Sequence, residues 1–454
     1  NQDLTSDLVT LKKKRAQQAS DRVSVSEFDR PIPWCTYSVG HMHVFVELVL
    51  SAAVSLHGAS QVLQLLLPLV DATLPIPSWT SGRWWILRLG LYKLTRPKVV
   101  AQDWIWILDH TLQLGPEKCL VIVGVRGADL PPVGQSLRYG DLEPLALFPV
   151  STSNGEVVCQ QLEAICAKTG EPRQIVADAG SDVKRGIRLF CGPRWRCVYT
   201  YDIKHKTATL LKHELADDAP WHRFATEAAA TKQRLQQTAL AFLAPPAQRS
   251  KARYLNISPL VNWGHATLQW LTRHTSTVVQ EPEQHDRQEQ ILGAVGWLRD
   301  YQEALSEWRE LMVILDTTTQ VVRTEGFTRA TYSSLKRRLA HTGQTPRTRR
   351  IRAEVLEWFA RSVCLSTNFG ERLVGSSEVL ESLFGRFKHL EQSQARSGFT
   401  PLLLGLPALL ASTTAEVIQQ AMEHVSVNDV QTWCHSYLGR SVQAQRKEAL
   451  NSLK

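Results

Sequence analysis

Residues 103–111 form the segment that most constrains what this chain can fold into. They read Asp-Trp-Ile-Trp-Ile-Leu-Asp-His-Thr, an apolar run of β-branched and aromatic side chains that ends near the carboxylate of Asp109. A second apolar run, residues 174–178, ends on Asp178. Short runs of this composition predict buried β-strands. Two strands that each deliver an aspartate at one end predict a carboxylate site on a sheet, of the kind that binds a metal ion.

The segments around these two runs predict a mixed sheet with helices on its faces. Residues 100–125 predict a hairpin, and residues 145–148, bounded by prolines, predict a short third strand. A helix is predicted over residues 153–169, and another begins at Val183. A last strand over residues 195–201 gives the order β-β-β-α-β-α-β, which favours an α/β architecture. Beyond this strand, helical patterns dominate.

The charge of the chain favours a polyanionic partner. The 454 residues carry a formal net charge of +9, which is typical of proteins that bind nucleic acid. A break at residues 75–78 separates an apolar helix from a basic one over residues 82–93, and this arrangement predicts a helix-turn-helix. Its second helix would direct Arg83, Arg88 and Lys93 towards DNA. The alternative is a plain helical bundle.

The cysteine pattern and the hydropathy of the chain argue against a zinc-binding protein and against a membrane-spanning one. The eight cysteines form no CxxC pair and show no zinc spacing, which favours reduced thiols in a cytosolic protein. The most apolar stretch, residues 44–70, contains Glu47 and His57. It therefore predicts core helices and no membrane span.

The residues around the two aspartates are more specific than the strand patterns. Residues 106–111 resemble the W-x-x-D-x-T strand of retroviral integrases and DDE transposases, and residues 178–182 resemble their D-x-G-S-x segment. The spacing between Asp109 and Asp178 is also similar. Asp202 and His205 fit the C/D-x-x-H motif of the Mutator, hAT and Transib-like transposases and their bacterial relatives.

The resemblance implies a third acid on a late helix. In those families a long helical insertion separates the C/D-x-x-H motif from a catalytic glutamate, and a helix predicted over residues 376–390 offers Glu378 and Glu381. Glu381 is preferred because Lys388, two turns later, shares its helical face, and the families often carry a basic residue there to contact DNA. Glu378 remains the alternative.

The resemblance implies a Mg²⁺-dependent DDE transposase. Asp109, Asp178 and Glu381 would hold two Mg²⁺ ions, for which Mn²⁺ can substitute. The implied partners are transposon terminal inverted repeats, target DNA and further copies of the chain in a homodimer or higher oligomer. The bacterial relatives imply a cytoplasmic, nucleoid-associated protein without membrane contact. Two alternatives remain: a transposase-derived DNA-binding protein without catalysis, and a structure-specific nuclease of the same fold.

The sequence leaves both a functional and a structural interpretation open for several residues. Asp103 lies on the strand face of Asp109, but it begins the run and is expected to cap it. Asp202 and His205 either act on DNA or close the fold as a hydrogen-bonded pair. A basic cluster is either a phosphate-contacting surface or a solvated run; its members are Arg347, Arg349, Arg350 and Arg352.

The predicted fold class is an α/β ribonuclease H-like mixed sheet with a large all-α insertion, preceded by an all-α helix-turn-helix domain. The predicted domains are an N-terminal arm (1–40), the helix-turn-helix domain (41–98), the first part of the catalytic domain (99–205), the helical insertion (206–362), the last part of the catalytic domain (363–400) and a helical tail (401–454).

Overall fold

The chain divides into two compact units. The first comprises residues 1–132, 137–199 and 377–454, and the second comprises residues 133–136 and 200–376. A computed structural model describes residues 23–71, 73–114, 117–248, 254, 257–274, 282–392 and 400–438. Most of the predicted N-terminal arm and the end of the predicted tail lie outside the described residues.

A five-stranded mixed sheet confirms the α/β prediction. Its strands are β1 (Trp104–Leu114), β2 (Glu117–Arg126), β3 (Glu143–Val150), β4 (Gln174–Ala177) and β5 (Val198–Tyr201). The strand order is β3-β2-β1-β4-β5. β1 pairs antiparallel with β2 and parallel with β4, and β2 pairs antiparallel with β3. Helices α1 (Val39–Leu50), α2 (Leu56–Val70) and α3 (Trp79–Thr95) precede the sheet, and α4 (Gly155–Thr169) and α5 (Ser181–Cys191) connect its later strands.

The two faces of β1 have different roles. Trp104, Trp106 and Leu108 are buried in an apolar cluster with side chains of α4 and α5. Because successive side chains of a strand point to opposite faces, Ile105, Ile107 and Asp109 belong to the other face. The even-numbered residues therefore anchor the sheet to its helices, and the odd-numbered residues lead to Asp109.

The later helices of the first unit surround α3. They are α13 (Glu378–Gln392), α14 (Gly405–Ala408), α15 (Ala415–His424) and α16 (Val427–Leu438). α3 packs against α1 and α2 and against all of these except α13. From Gly82 to Leu94 every residue is buried or half-buried. The predicted helix-turn-helix is not confirmed: beyond its exposed first turn, this helix packs against its neighbours and offers little free surface to a DNA groove.

Two glycines allow the close packing of α3. A Cβ atom on Gly90 would lie 1.8 Å from the carbonyl oxygen of Leu404, and one on Gly82 would lie 2.0 Å from the ring of Phe45. Neither distance is compatible with a side chain. The sequence of α3 is therefore that of a core helix.

Lys93 is fully buried and does not face DNA. Its ammonium donates hydrogen bonds to the carbonyls of Ala408 (3.2 Å), Leu410 (2.6 Å) and Ala411 (3.2 Å) and to the Thr413 hydroxyl (2.7 Å). These groups follow or end α14, so Lys93 fastens this segment to α3. The predicted DNA contact of Lys93 is wrong, because no part of the side chain reaches the surface.

Arg88 has a similar structural role. Its guanidinium is half-buried and donates hydrogen bonds to the backbone carbonyls of Met422 and Val425 at the end of α15. These carbonyls have no partner within their helix, so the arginine acts as a C-terminal cap. The predicted DNA contact of Arg88 is replaced by this intramolecular one.

The second unit is helical in its described residues, apart from the last two residues of β5 and an isolated bridge between Phe327 and Leu373. Its helices are α6 (Ile203–Leu215), α7 (Ala219–Leu235), α8 (Ser258–His274), α9 (Pro282–Val295), α10 (Gln302–Glu325), α11 (Arg329–Arg338) and α12 (Pro346–Val363). α10 packs against α6, α8, α11 and α12. Aromatic rings fill its core; they are Trp221, Phe224, Trp297, Tyr301 and Trp308. Among the described helices of the chain, none combines the length and apolar character needed to cross a bilayer.

We expect Lys93→Met to destabilise the chain by about 3 kcal/mol, because the substitution leaves several buried carbonyls without their donor. The free energy of unfolding in urea measures this loss. Lys388→Met is the control, because Lys388 is exposed and its loss should cost less than about 0.5 kcal/mol. Equal stability of the Lys93 variant and the wild type would contradict the structural role.

The cost of Lys93→Met should grow as the pH rises. Burial lowers the pKa of Lys93 to about 7, whereas an unfolded lysine titrates near about 10.4. Between these values the unfolded chain binds more protons, so the wild type gains stability with pH and the methionine variant lacks this gain. Unfolding curves of both proteins at pH 6.5 and pH 9 test the sign; a smaller difference at pH 9 would contradict it.

Candidate active site

The pairing of β1 with β4 brings two aspartates together. The parallel register matches Ile105 with Gln174 and Ile107 with Val176. Carried two residues further along both strands, the same register sets Asp178 beside Asp109. Neighbouring strands lie about 4.8 Å apart, and residues in register point to the same face. Both side chains are half-buried, so the pair occupies the end of the sheet face opposite α4 and α5.

The turn after β4 holds Asp178 in place. Its Oδ1 accepts a hydrogen bond from the N–H of Gly180 (3.1 Å), and its carbonyl accepts one from the Tyr199 hydroxyl (2.7 Å). A Cβ atom on Gly180 would lie 3.2 Å from Asp178 Oδ1 and 3.5 Å from Oδ1 of Asp182. The glycine of the D-x-G segment therefore leaves the space that these carboxylates occupy.

α13 carries the two candidate glutamates and packs against β1. The described apolar cluster on the face of Trp106 includes residues of α4 and α5 and none of α13. Glu378 is the first residue of the helix, and Glu381 lies one turn later. Glu381 is half-buried, and its Oε1 atom is shielded from solvent. Both acids also lie in the first turn, where a negative charge stabilises a helix.

The donor chemistry of this region fits Mg²⁺. Carboxylate oxygens are its preferred ligands, and it is usually held by one or two carboxylates together with phosphate oxygens of the substrate. Asp109 and Asp178 are two carboxylates of this kind. Among the described residues, no group of three or more His, Cys, Asp or Glu side chains is arranged as a complete metal site.

A polar network borders the aspartate pair. Nε2 of His110 lies 3.3 Å from Oγ of Ser153, and Nζ of Lys118 lies 3.7 Å from Oδ2 of Asp182. Burial lowers the pKa of His110. Burial alone would raise the pKa of Asp182, but hydrogen bonds from Ser153 and the N–H of Val183 outweigh it and keep the pKa low. Ser153 and Lys118 are not among the residues predicted from the sequence, because each is distant in the chain from the motif it joins.

Asp103 has a different partner and is not part of the pair. Its carboxylate forms an ion pair with Arg126 and accepts a hydrogen bond from the N–H of Ala128 (3.2 Å). Burial would raise the pKa of Asp103, but these contacts outweigh it and lower the pKa. Asp103 therefore secures the start of β1, about 20 Å along the strand from Asp109.

Asp202 and His205 form a helix cap. Asp202 is fully buried, and its Oδ2 accepts hydrogen bonds from the backbone N–H of His205 and lies 3.0 Å from its Nδ1. Asp202 is the N-cap of α6. Of the two interpretations of this motif, the geometry favours the hydrogen-bonded pair that closes the fold.

Three arginines of the predicted basic cluster are engaged within the second unit. Arg347 contacts Glu214 (3.0 Å), Asp218 (2.7 Å) and Glu307 (3.2 Å), and Arg350 also pairs with Glu214. Arg352 donates hydrogen bonds to backbone carbonyls beyond α11. The cluster is therefore mainly a set of intramolecular ion pairs and caps.

The remaining predicted contacts differ in exposure. Arg349 and Lys388 are exposed. Arg83 is half-buried, and its guanidinium lies 5.7 Å from the ring centre of Trp84. The exposed members of the predicted set are thus Arg349, Arg350 and Lys388, of which Arg350 is also paired with Glu214.

The chain matches no family model and no curated protein. Among solved structures it is similar to the Drosophila P element transposase strand transfer complex, with a TM-score of 0.35 and 9% sequence identity. The alignment covers 92% of this chain and 97% of that chain. A similarity at this level does not establish a shared fold.

We expect Arg347→Met to destabilise the chain by about 2 kcal/mol, because it leaves the buried carboxylate of Glu214 with fewer partners. Arg349→Met is the matched control on the same helix and should cost less than about 0.5 kcal/mol. Urea unfolding of both variants measures the difference. Equal stabilities of the two variants would contradict this structural role and favour Arg347 as a surface contact for phosphate.

Proposed function

We propose that the chain is a DNA transposase of the DDE type that transfers phosphoryl groups at an active site formed by Asp109, Asp178 and Glu381. The observation that supports the proposal is the parallel register of β1 and β4, which matches Ile107 with Val176 and, continued by two residues, would set the aspartates of the W-x-x-D-x-T and D-x-G-S-x segments side by side. An aspartate at a strand end is common. Two of them on neighbouring strands, in register and on one face, form a specific arrangement.

The sheet supports a ribonuclease H-like assignment. Three antiparallel strands are followed by two strands that alternate with helices, and β4 is added beside β1 rather than beside β3. This crossover is what brings the second aspartate back to the first. A sheet that added its strands in sequence order would separate the two acids by the width of two further strands.

Glu381 is the proposed third acid. Its helix packs against β1, the strand of Asp109, and its carboxylate is partly withdrawn from solvent. Glu378 starts the same helix. A position one turn into a helix is held more firmly than the first residue, where helices fray. This favours Glu381 as a residue that must keep its geometry.

The residues of the site have separate tasks in the proposed reaction. Bound Mg²⁺ would activate the attacking oxygen and stabilise the leaving oxygen of the phosphodiester. Asp109 is held by the strand pairing and Asp178 by the bonds from Gly180 and Tyr199, so both carboxylates are oriented before substrate arrives. Phosphate oxygens would complete the ligand set. Arg349 and Lys388 are the proposed phosphate contacts outside the reacting centre.

The proposed surface for self-association is the exposed side of α2. Leu56, Ala59, Leu63 and Leu67 form its buried stripe, whereas Leu65, Leu66 and Leu69 are 73%, 49% and 80% exposed on the opposite side. The helix contains no charged residue. Exposed leucines this close together on a helix are often covered by a partner, and a face without charged side chains is complementary to the same face of a second copy. Light scattering of Leu69→Lys would show whether the face holds a dimer.

The two alternative functions differ from the proposal in a measurable product. A DNA-binding protein without catalysis would shift DNA in a gel but yield no nicks in Mg²⁺. A structure-specific nuclease would nick DNA but never join a 3′-hydroxyl to target DNA. A strand-transfer assay on duplexes that carry the element's own ends separates all three.

We expect Asp109→Asn to abolish nicking and joining while DNA binding persists. The substitution removes a ligand charge and nearly preserves shape, so cleavage should fall by at least about 10³-fold. DNA binding should remain or tighten slightly, because an aspartate without its metal repels phosphate. Gel shift and nicking assays measure the two effects. Joining at the wild-type rate would show that Asp109 is no ligand.

Glu381→Gln and Glu378→Gln test the third acid as a matched pair. Both remove one charge from the first turn of α13, so both weaken the helix to a similar degree. We expect only Glu381→Gln to lose cleavage. The reverse result would identify Glu378 as the catalytic residue and leave the rest of the proposal intact.

A further inference from the structure

We propose that Cys191 and Cys197 are a thiol pair that forms a reversible disulfide across the connection from α5 to β5. Their sulfur atoms lie 3.4 Å apart and are both in the free thiol state. This is the separation of two thiols in contact, which needs only a small movement to become a bond. The pair lies outside the carboxylate site and has no part in the proposed reaction.

The backbone brings the two cysteines together. The N–H of Arg194 donates to the carbonyl of Cys191 (2.8 Å), and the N–H of Cys197 donates to the carbonyl of Arg194 (3.0 Å). Two successive turns therefore fold the connection back on itself. This local geometry brings the sulfurs of two residues six apart within contact distance.

Arg194 fixes these turns from the side. Its guanidinium donates hydrogen bonds to the carbonyl of Phe190 (2.8 Å) and to Glu163 on α4 (2.7 Å), and it lies 4.1 Å from the ring centre of Phe190. The connection is thereby held against the two helices. The thiols stay in contact because the residue between them is anchored at three points.

The two thiols have different chemical roles. The hydrogen bond from Cys197 and the nearby charge of Arg194 lower the pKa of Cys191 despite burial, and the same hydrogen bond and burial raise the pKa of Cys197. Cys191 is half-buried, next to the exposed residues Gly192 and Pro193, and Cys197 is buried. Because a reagent reaches the more exposed thiol first, Cys191 is the proposed attacking thiolate and Cys197 the resolving thiol.

A small-molecule disulfide such as oxidised glutathione is the oxidant. The Cys191 thiolate attacks one of its sulfurs, forming a mixed disulfide and releasing one thiolate. Cys197 then loses its proton and attacks the Cys191 sulfur, which forms the intramolecular bond and releases the second small thiol. Two protein thiols are oxidised, and one small disulfide is reduced to two thiols.

The bond would restrain the start of β5. Tyr199, two residues after Cys197, holds the carbonyl of Asp178 through its hydroxyl. Oxidation would thus stiffen one support of Asp178. This consequence for activity rests on the proposed function, whereas formation of the disulfide does not.

The test is oxidation of the full chain, without denaturant, followed by blocking of free thiols, trypsin digestion and mass spectrometry. Trypsin should release residues 189–194 and 197–204 as separate peptides. We expect oxidised glutathione to join them into one species that dithiothreitol separates again. The joined species should be absent from Cys191→Ser and Cys197→Ser and present in Cys364→Ser, whose replaced thiol is exposed and lies in the second unit.

Thermal unfolding gives an independent readout. Closing this loop should raise the unfolding midpoint of the oxidised wild type by a few degrees and leave Cys197→Ser unchanged. Absence of the joined peptide after prolonged oxidation of folded protein would overturn the proposal, as would linkage of Cys191 to Cys159. If the joined peptide forms while nicking is absent from both redox states, the disulfide stands and the proposed function fails.

Discussion

The parallel pairing of β1 with β4 is the constraint on which the rest of the first unit depends. It crosses three residue pairs, yet it determines which strand ends lie side by side and therefore where Asp109 and Asp178 stand. The pairing is possible only because α4 returns the chain to the β1 edge of the sheet. A slip of one residue would turn one aspartate into the apolar cluster with Trp106, where an unpaired carboxylate is strongly disfavoured.

The packing of the helices protects this arrangement. Trp106 and Leu108 hold one face of β1 against α4 and α5, and α13 packs against the same strand. α3 is fixed by the close approach of Gly90 to Leu404 and by the hydrogen bonds of Lys93. Basic side chains in this unit therefore differ in role. Lys93 and Arg88 bind backbone carbonyls inside the fold, and Lys388 remains at the surface.

The mixed sheet was predictable because its strands are short apolar runs separated by turn residues, and such local patterns are visible along the chain. The role of α3 as a core helix was not predictable. Arg83, Arg88 and Lys93 at helical spacing predict a basic surface, but Lys93 finds its acceptors more than 300 residues later, and no local pattern reveals them. The same holds for Arg347, whose acidic partners lie on α6, before α7 and on α10. Charge clusters read from sequence do not distinguish exposed groups from paired ones.

The central claim is that Asp109, Asp178 and Glu381 share a divalent-cation site, and iron-directed cleavage tests it most directly. Fe²⁺ occupies oxygen-rich Mg²⁺ sites and, with ascorbate and peroxide, cuts the backbone next to where it is bound. We expect cuts near residues 109, 178 and 381 that excess Mg²⁺ suppresses and that Asp109→Asn removes together. Cuts at other positions, or cuts near 109 and 178 without any near 381, would contradict it.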